Sequence, residues 1–264
     1  REDGDGMRMS RIFCGVGAGA LALALAWTAP AVAADKTPIK IGVLGDMSGI
    51  YEATSGPGSV AAVKMAVKDF GGTVLGRPIE VVVGDHQNKP DLAATIARRW
   101  YDTDHVDMIT DLTGSASALA VIAVASDRHK IAFAPTASAS AINGAKCTPY
   151  SIQYNFNSYA LSKSLINSLL KQGDNTFFFV TADYAYGHDT QHDATAFITA
   201  GGGKVVGSVD HPAGATDFSS YILAAQNSGA KVIALANASS DMINSIKTAN
   251  EFGVTKKQKL AGFL

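Results

Sequence analysis

The chain has 264 residues, 47% of them hydrophobic and 17% charged, with a formal net charge of −1. That is apolar material for one large or two modest domains, and near-neutral charge without basic clusters argues against a nucleic-acid partner. Eight per cent aromatics and 26 glycines fit a loop-rich α/β protein and exclude a disordered one.

The amino end reads as an export leader. Arg1 to Gly6 looks like sequence upstream of a true start. Met7 to Arg11 is a short basic region, Val16 to Trp27 an Ala/Leu-rich apolar one, and Ala31-Val-Ala33 a small-residue cleavage pattern. Cleavage is expected after Ala33, giving a periplasmic product. The apolar run is short for a membrane span. Cys14 lies within the leader, so Cys147 is left without a disulfide partner and is expected to be a small buried hydrophobe.

From Ile39 onward, short β-rich runs alternate with helical ones. Ile39 to Leu44 reads as a strand, and Ser59 to Phe70 as a helix with Val60, Val63, Val67 and Phe70 on one face. Gly71-Gly72 and Leu75-Gly-Arg-Pro78 turn the chain into a strand over Ile79 to Val83. Pro90 starts a helix through Trp100. Val106 to Ile109 is strand-like and stops at polar Asp111 and Thr113. Gly114 then permits a tight turn, and Ser115 and Ser117 open an Ala-rich helix to about Arg128. Free N–H groups and small hydroxyls thus collect at a helix start just past a strand, an arrangement that attracts anions. A helix cap is the plainer reading of either serine. Ile131 to Ala134 is a further strand, followed by a small-residue loop to Gly144.

A second series repeats the scheme. Helices are expected over Ser158 to Lys171, Asp189 to Ala200, Asp217 to Asn227 and Met242 to Phe252. Strands are expected over Thr176 to Thr181, Lys204 to Val209, Val232 to Leu235 and Leu260 to Leu264. Such alternation implies α/β architecture: two Rossmann-like lobes with parallel sheets, residues 34–152 and 153–264, joined near Pro149 to Asn157.

In a parallel sheet the strand-to-helix loops emerge on one edge, where ligands bind. Those loops hold Ser48 and Tyr51, His86, Gly114 and Ser115, and Thr136, Ala137 and Ser138. In the second series they hold Tyr184, Tyr186 and Asn237. The first group offers N–H and O–H donors for a small anion, and the tyrosines offer apolar area with a polar tip. Enzyme readings fare worse. Around Ser115 a G-x-S-x-G elbow would need glycines where Thr113 and Ser117 stand. His188 and His192 lie four apart on a predicted helix, but the Glu of H-E-x-x-H and a third ligand are missing, so a solvated face is favoured. Gly42-Val-Leu-Gly45 does not complete G-x-G-x-x-G, and no cofactor is expected. Asp85-His86 is better read as lining the cleft or capping a helix than as an acid–base pair.

Lys40-Ile-Gly-Val-Leu-Gly-Asp-Met-Ser-Gly49, the Gly71-Gly72…Leu75-Gly-Arg-Pro78 turn, Ala182-Asp-Tyr-Ala-Tyr-Gly187 and Asp217-Phe-Ser-Ser-Tyr-Ile222 resemble periplasmic substrate-binding proteins. The resemblance is to the leucine/isoleucine/valine-binding type that serves ABC transporters, and it covers the chain after the leader. It implies two lobes joined by three crossovers, a carboxylate ligand enclosed between them by hinge closure, and an inner-membrane permease as partner. It also implies a monomer at full length. Gly114-Ser115 and Thr136 to Ser138 would hold the ligand carboxylate, and Tyr184 and Tyr186 would close on it. Family chains continue past Leu264 to complete the first lobe, so that lobe is expected to be incomplete here. Asp85-His-Gln-Asn88 with Asp111-Leu-Thr-Gly-Ser115 looks closer to a branch associated with aromatic carboxylates. Only Asp183 and Asp241 stand out as carboxylates for an α-ammonium. A secreted enzyme, or a sensing domain of a receptor or regulator with the same fold, are the rival readings.

Overall fold

A computed structural model describes residues 36–263. The expected leader, with cleavage after Ala33, and the last expected strand residue, Leu264, lie outside them.

The first lobe alternates β1 (Ile39–Gly45), α1 (Gly56–Asp69), a β2–β3 hairpin (Thr73–Val74, Arg77–Asp85), α2 (Pro90–Asp102), β4 (Met108–Asp111), α3 (Ser115–Asp127), β5 (Ile131–Ala134) and β6 (Ser151–Gln153). Its six strands run in the order β2-β3-β1-β4-β5-β6. Only the β2–β3 pairing is antiparallel. The second lobe follows with α4 (Ser158–Lys171), β7 (Thr176–Ala182), α5 (Ala185–Ala200), β8 (Lys204–His211), α6 (Ser219–Asn227), β9 (Val232–Ala236), α7 (Ser239–Glu251) and β10 (Lys259–Gly262). Its sheet is parallel, in the order β10-β9-β7-β8. Among the described residues the chain passes between sheets once, over Tyr154 to Asn157.

The order within each sheet locates a crevice. In the first, the connections after β1 and β4 diverge to opposite sides; in the second, those after β7 and β9 do so. Such reversals leave a gap at the carboxyl ends of the two adjacent strands.

Local chemistry sets the element ends. Pro57 suits a first helical turn, so α1 begins before the expected Ser59. The Asp217 carboxylate accepts Ser219 N–H at 2.8 Å, and α6 starts at Ser219, two residues later than expected. β4 runs two residues beyond its expected end, which puts Asp111 inside the sheet. β2 and β6 were not expected: both are very short, and the strand pattern needs more residues to show.

The core explains the run Phe177-Phe-Phe-Val180. Phe177 and Phe179 pack with Ile166, Ala194 and Ile198 on one face of β7, and Phe178 and Val180 with Phe218, Ile222 and Met242 on the other. A sheet covered on both sides needs no polar alternation. The first sheet is covered well by α2 and α3, with Trp100, Ile109 and Ile122 at the centre. On its other side, α1 buries only Gly56. Val60, Val63 and Val67 of the expected apolar face are half-buried, and Phe70 is exposed. Cys147 also corrects an expectation: it is exposed, in the turn after the β5 loop where its N–H donates to Gly144 O at 3.1 Å.

Candidate functional site

The four loops at the two crevices meet around a cavity of about 470 Å³, within the range of roughly 300–1,000 Å³ usual for small-molecule sites.

After β1, the buried Asp46 carboxylate accepts the N–H groups of Gly49 at 2.7 Å and Tyr51 at 3.0 Å. This ties the loop into a turn that delivers the Tyr51 ring to the cavity. After β3, Asp85 accepts Ser48 Oγ–H at 2.7 Å and Met47 N–H at 3.0 Å. Ser48 is thereby held outside the cavity, on the surface. His86 is fully buried behind the wall. Its Nδ1 accepts Asn88 N–H at 3.0 Å, which assigns the ring proton to Nε2. Burial pushes its pKa down against the pull of Asp46 and Asp85, so the ring is neutral.

After β4 the backbone is left-handed at Asp111 and Leu112 and again at Gly114, with φ of 77°, 53° and 80°. A side chain at Gly114 would also stand 2.3 Å from Asn88 Oδ1, so glycine fits for two reasons. This turn places the start of α3, whose first amides have no intrahelical acceptor, at the cavity wall. Ser115 Oγ accepts Ala139 N–H at 3.0 Å, fastening the β4 loop to the β5 loop. Its own proton stays available. In the β5 loop, Gln153 donates to the carbonyls of Ala137 at 2.9 Å and Ala139 at 3.2 Å, and Ser158 N–H to that of Ser138 at 2.7 Å.

From the second lobe, α5 starts at Ala185, four residues before the expected Asp189, and Tyr186 sits in its first turn. Tyr186 is buried against Tyr51 and Ala238. Its hydroxyl makes no hydrogen bond. Burial drives the phenol pKa well up, with only the nearby Thr190 hydroxyl working the other way. Tyr184 OH meets Tyr51 OH at 2.7 Å across the lobes. Ser239 Oγ to Ile50 O at 2.7 Å, Ala141 N–H to Asp189 Oδ2 at 3.0 Å and Ser140 N–H to Ser158 Oγ at 3.0 Å also bridge them, beside the Ser158–Ser138 bond.

Of the residues singled out by the sequence, the structure gathers Tyr51, Gly114, Ser115, Thr136, Ala137, Ser138 and Tyr186 on one cavity. Tyr184 stands behind it through Tyr51. Ser48, His86 and Asn237 do not line it. Asn237 is buried among second-lobe loops, bonded to His211 at 3.1 Å and Ser245 at 3.0 Å. Asp183 is turned out to pair with His188 at 2.8 Å, and Asp241 accepts Gly214 N–H at 3.1 Å. Neither lines the cavity. Thr54, Thr113, Pro135, Asn155, Phe156, Ala238 and Ser239 also line the cavity. Thr113, Ala238 and Ser239 lie in strand-end loops to which the sequence points. Asn155 and Phe156 lie on the passage between the lobes, where no strand-end rule points.

The sequence profile described as "Periplasmic binding protein" matches residues 38–264. The chain belongs to that family. It is similar to a periplasmic binding protein of Burkholderia mallei, with 47% identity and a TM-score of 0.84 over 86% of this chain and 60% of that one. It is also similar to a solute-binding protein of an ABC transporter from Rhodopseudomonas palustris BisB5, solved in complex with 3,4-dihydroxybenzoic acid. There the identity is 26% and the TM-score 0.76, over 85% of this chain and 61% of that one. A curated relative, the Leu/Ile/Val-binding protein homolog 6 of Brucella abortus (strain 2308), is 26% identical over 202 residues, 76% of this chain. The chain spans about half the length of that relative, 51%. These family members are solute-binding proteins, in accord with the resemblance of the loop motifs.

Proposed function

We propose that the chain is the ligand-binding part of an exported receptor. It captures a small organic carboxylate between its two lobes by hinge closure and presents it to an ABC permease in the inner membrane. The observation that carries this reading is the make-up of the cavity. One wall is the start of α3 with Ser115 and Ser138, a source of N–H and O–H donors; the other is Tyr51, Tyr186 and Phe156; among the described residues no charged side chain lines it. Amides at a helix start hold an anion without a cation, and the rings enclose its apolar body. Family membership supports a periplasmic location, and a binding role in place of catalysis. Between the solutes that relatives' names mention, branched-chain amino acids and a dihydroxybenzoic acid, the three aromatic side chains favour an aromatic acid. Tyr184, Ser48, His86 and Asn237 act from behind by holding the loops.

Calorimetry with leucine, benzoate-type and phenylpropenoate-type acids tests this. Micromolar or tighter binding of an acid and at least tenfold weaker binding of its amide are expected. Equal affinity for acid and amide would remove the anion site. Tight leucine binding without any aromatic binding would return the protein to the amino-acid receptors.

A further inference from the structure

A buried carboxylate stands behind the first-lobe wall. Asp111, at the end of β4, is 3% exposed. Its Oδ1 accepts the hydroxyl protons of Ser59 at 3.0 Å and Thr113 at 3.1 Å. Its main-chain carbonyl accepts that of Thr136. The oxygens of Thr113 and Thr136 are 3.2 Å apart. Oδ2 is buried without a partner and faces Gly45.

A threonine hydroxyl has one proton and two acceptor lone pairs. The Thr136 proton goes to the Asp111 carbonyl. The Thr113 proton goes either to the Asp111 carboxylate or to Thr136, and in both cases stays within the network. Both threonines line the cavity. What they present to a ligand is therefore lone pairs. Protonation of Asp111 does not change this, because the free position is Oδ2 and Oδ1 remains an acceptor. Ser115 is the opposite case: its oxygen accepts from Ala139 N–H, and its proton is left for a ligand.

We propose that Asp111 is a positioning residue that makes Thr113 and Thr136 hydrogen-bond acceptors, so that the cavity selects carboxylates carrying a donor group, hydroxyl or ammonium, over carboxylates carrying none. This rests on the reading of the cavity as a carboxylate site. A ligand without a donor leaves two cavity oxygens unpaired on closure, which is how a polar site rejects an analogue that lacks one group.

The test uses matched acids on the purified chain: 4-hydroxybenzoate with benzoate, and leucine with 4-methylpentanoate. In the pair whose body fits, the donor-bearing acid binds at least about tenfold tighter. Asp111→Asn keeps an acceptor at Oδ1, and asparagine tolerates the left-handed backbone, so the ratio stays within about threefold of the unaltered chain. Thr113→Val removes one acceptor and brings the ratio toward unity by weakening the donor-bearing acid alone. Asp111→Ala leaves the Thr113 proton no acceptor in the network but Thr136 Oγ1, 3.2 Å away, and lowers the ratio by less. If Asp111→Ala does not fold, Thr113→Val set against Asp111→Asn decides in the same terms. A role that is merely structural weakens both acids of a pair alike, and that result overturns the proposal. Equal binding within each pair by the unaltered chain also overturns it while leaving the carboxylate site standing. Failure to bind any carboxylate overturns both.

Discussion

Two helix starts face one cavity, and they are built from opposite materials. At α3, glycine and small hydroxylated residues keep the backbone bare, so amides and a serine proton reach the cavity directly. At α5, tyrosines bury the first turn and present ring surface. Both starts lie at a crevice between strands whose connections diverge, so topology puts each in place. Under the function proposed above, composition alone gives one the task of gripping charge and the other that of enclosing a body. The same edge of a sheet would then supply either half of a recognition site.

The largest expected effect breaks the second half. Tyr186→Ala removes a buried ring and should cost about 3–5 kcal/mol of stability by urea denaturation. Binding of a planar aromatic acid should suffer more than that of a small aliphatic one; equal losses would show the ring to be only core. Gly114→Ala breaks the first half. With a left-handed backbone and Asn88 Oδ1 in the way, about 1–3 kcal/mol of stability should be lost, together with carboxylate binding. Retention of both would mean that the turn relaxes freely. Ser115→Ala removes a hydrogen bond to a charged group, worth about 1.5–3 kcal/mol. Different carboxylates should lose roughly tenfold or more in affinity to a similar extent, and discrimination between ligand bodies by Ser115 would dissolve the comparison.

Smaller effects sharpen it. Burial raises the Asp111 pKa above its ordinary 3.8, opposed by the hydroxyls of Ser59, Thr113 and Thr136. The folded chain therefore holds this proton more tightly than the unfolded one. The contribution is fully present below the ordinary value and is lost as pH rises through the raised one. Asp111→Asn should remove that part of the slope of stability against pH; an unchanged slope would show that Asp111 is ionised without cost. Smallest of all, Tyr184→Phe deletes one hydrogen bond between the lobes, about 0.5–1.5 kcal/mol, and should weaken every ligand by a few-fold without changing their order.

The sequence made one half of this site more legible than the other. Gly114-Ser115 after an apolar run announces a strand, a turn and a helix start, and the structure places it so. The start of α5 was read four residues late because Tyr184 to His188 carry poor helix formers. Gly187 is there for a reason no local rule reveals: a side chain at that position would lie 2.1 Å from the Ala182 carbonyl, where the helix abuts its own strand. Asp111 was visible as a residue but not as a buried anchor. That role needs β4 to run two residues further and Ser59 of α1, Thr113 of the β4 loop and Thr136 of the β5 loop to converge. Alternation of strands and helices foretold the two parallel sheets, since burial on both faces dictates it. It could not foretell Phe156, which reaches the cavity from the passage between them.

The Tyr51–Tyr184 hydroxyl pair has an optical consequence. Burial raises both phenols, Tyr51 well above its ordinary value of 10 and Tyr184 to about 12. Phenolate absorbs to the red of phenol, so an alkaline titration watched by ultraviolet difference spectroscopy separates tyrosines that ionise late from those in water. With the lobes together, as in this structure, these two belong to the late group. Under the proposed hinge closure they join the early group when the lobes part, so the pair would gauge closure, and a ligand that shuts the cleft would delay the colour change without any label being attached.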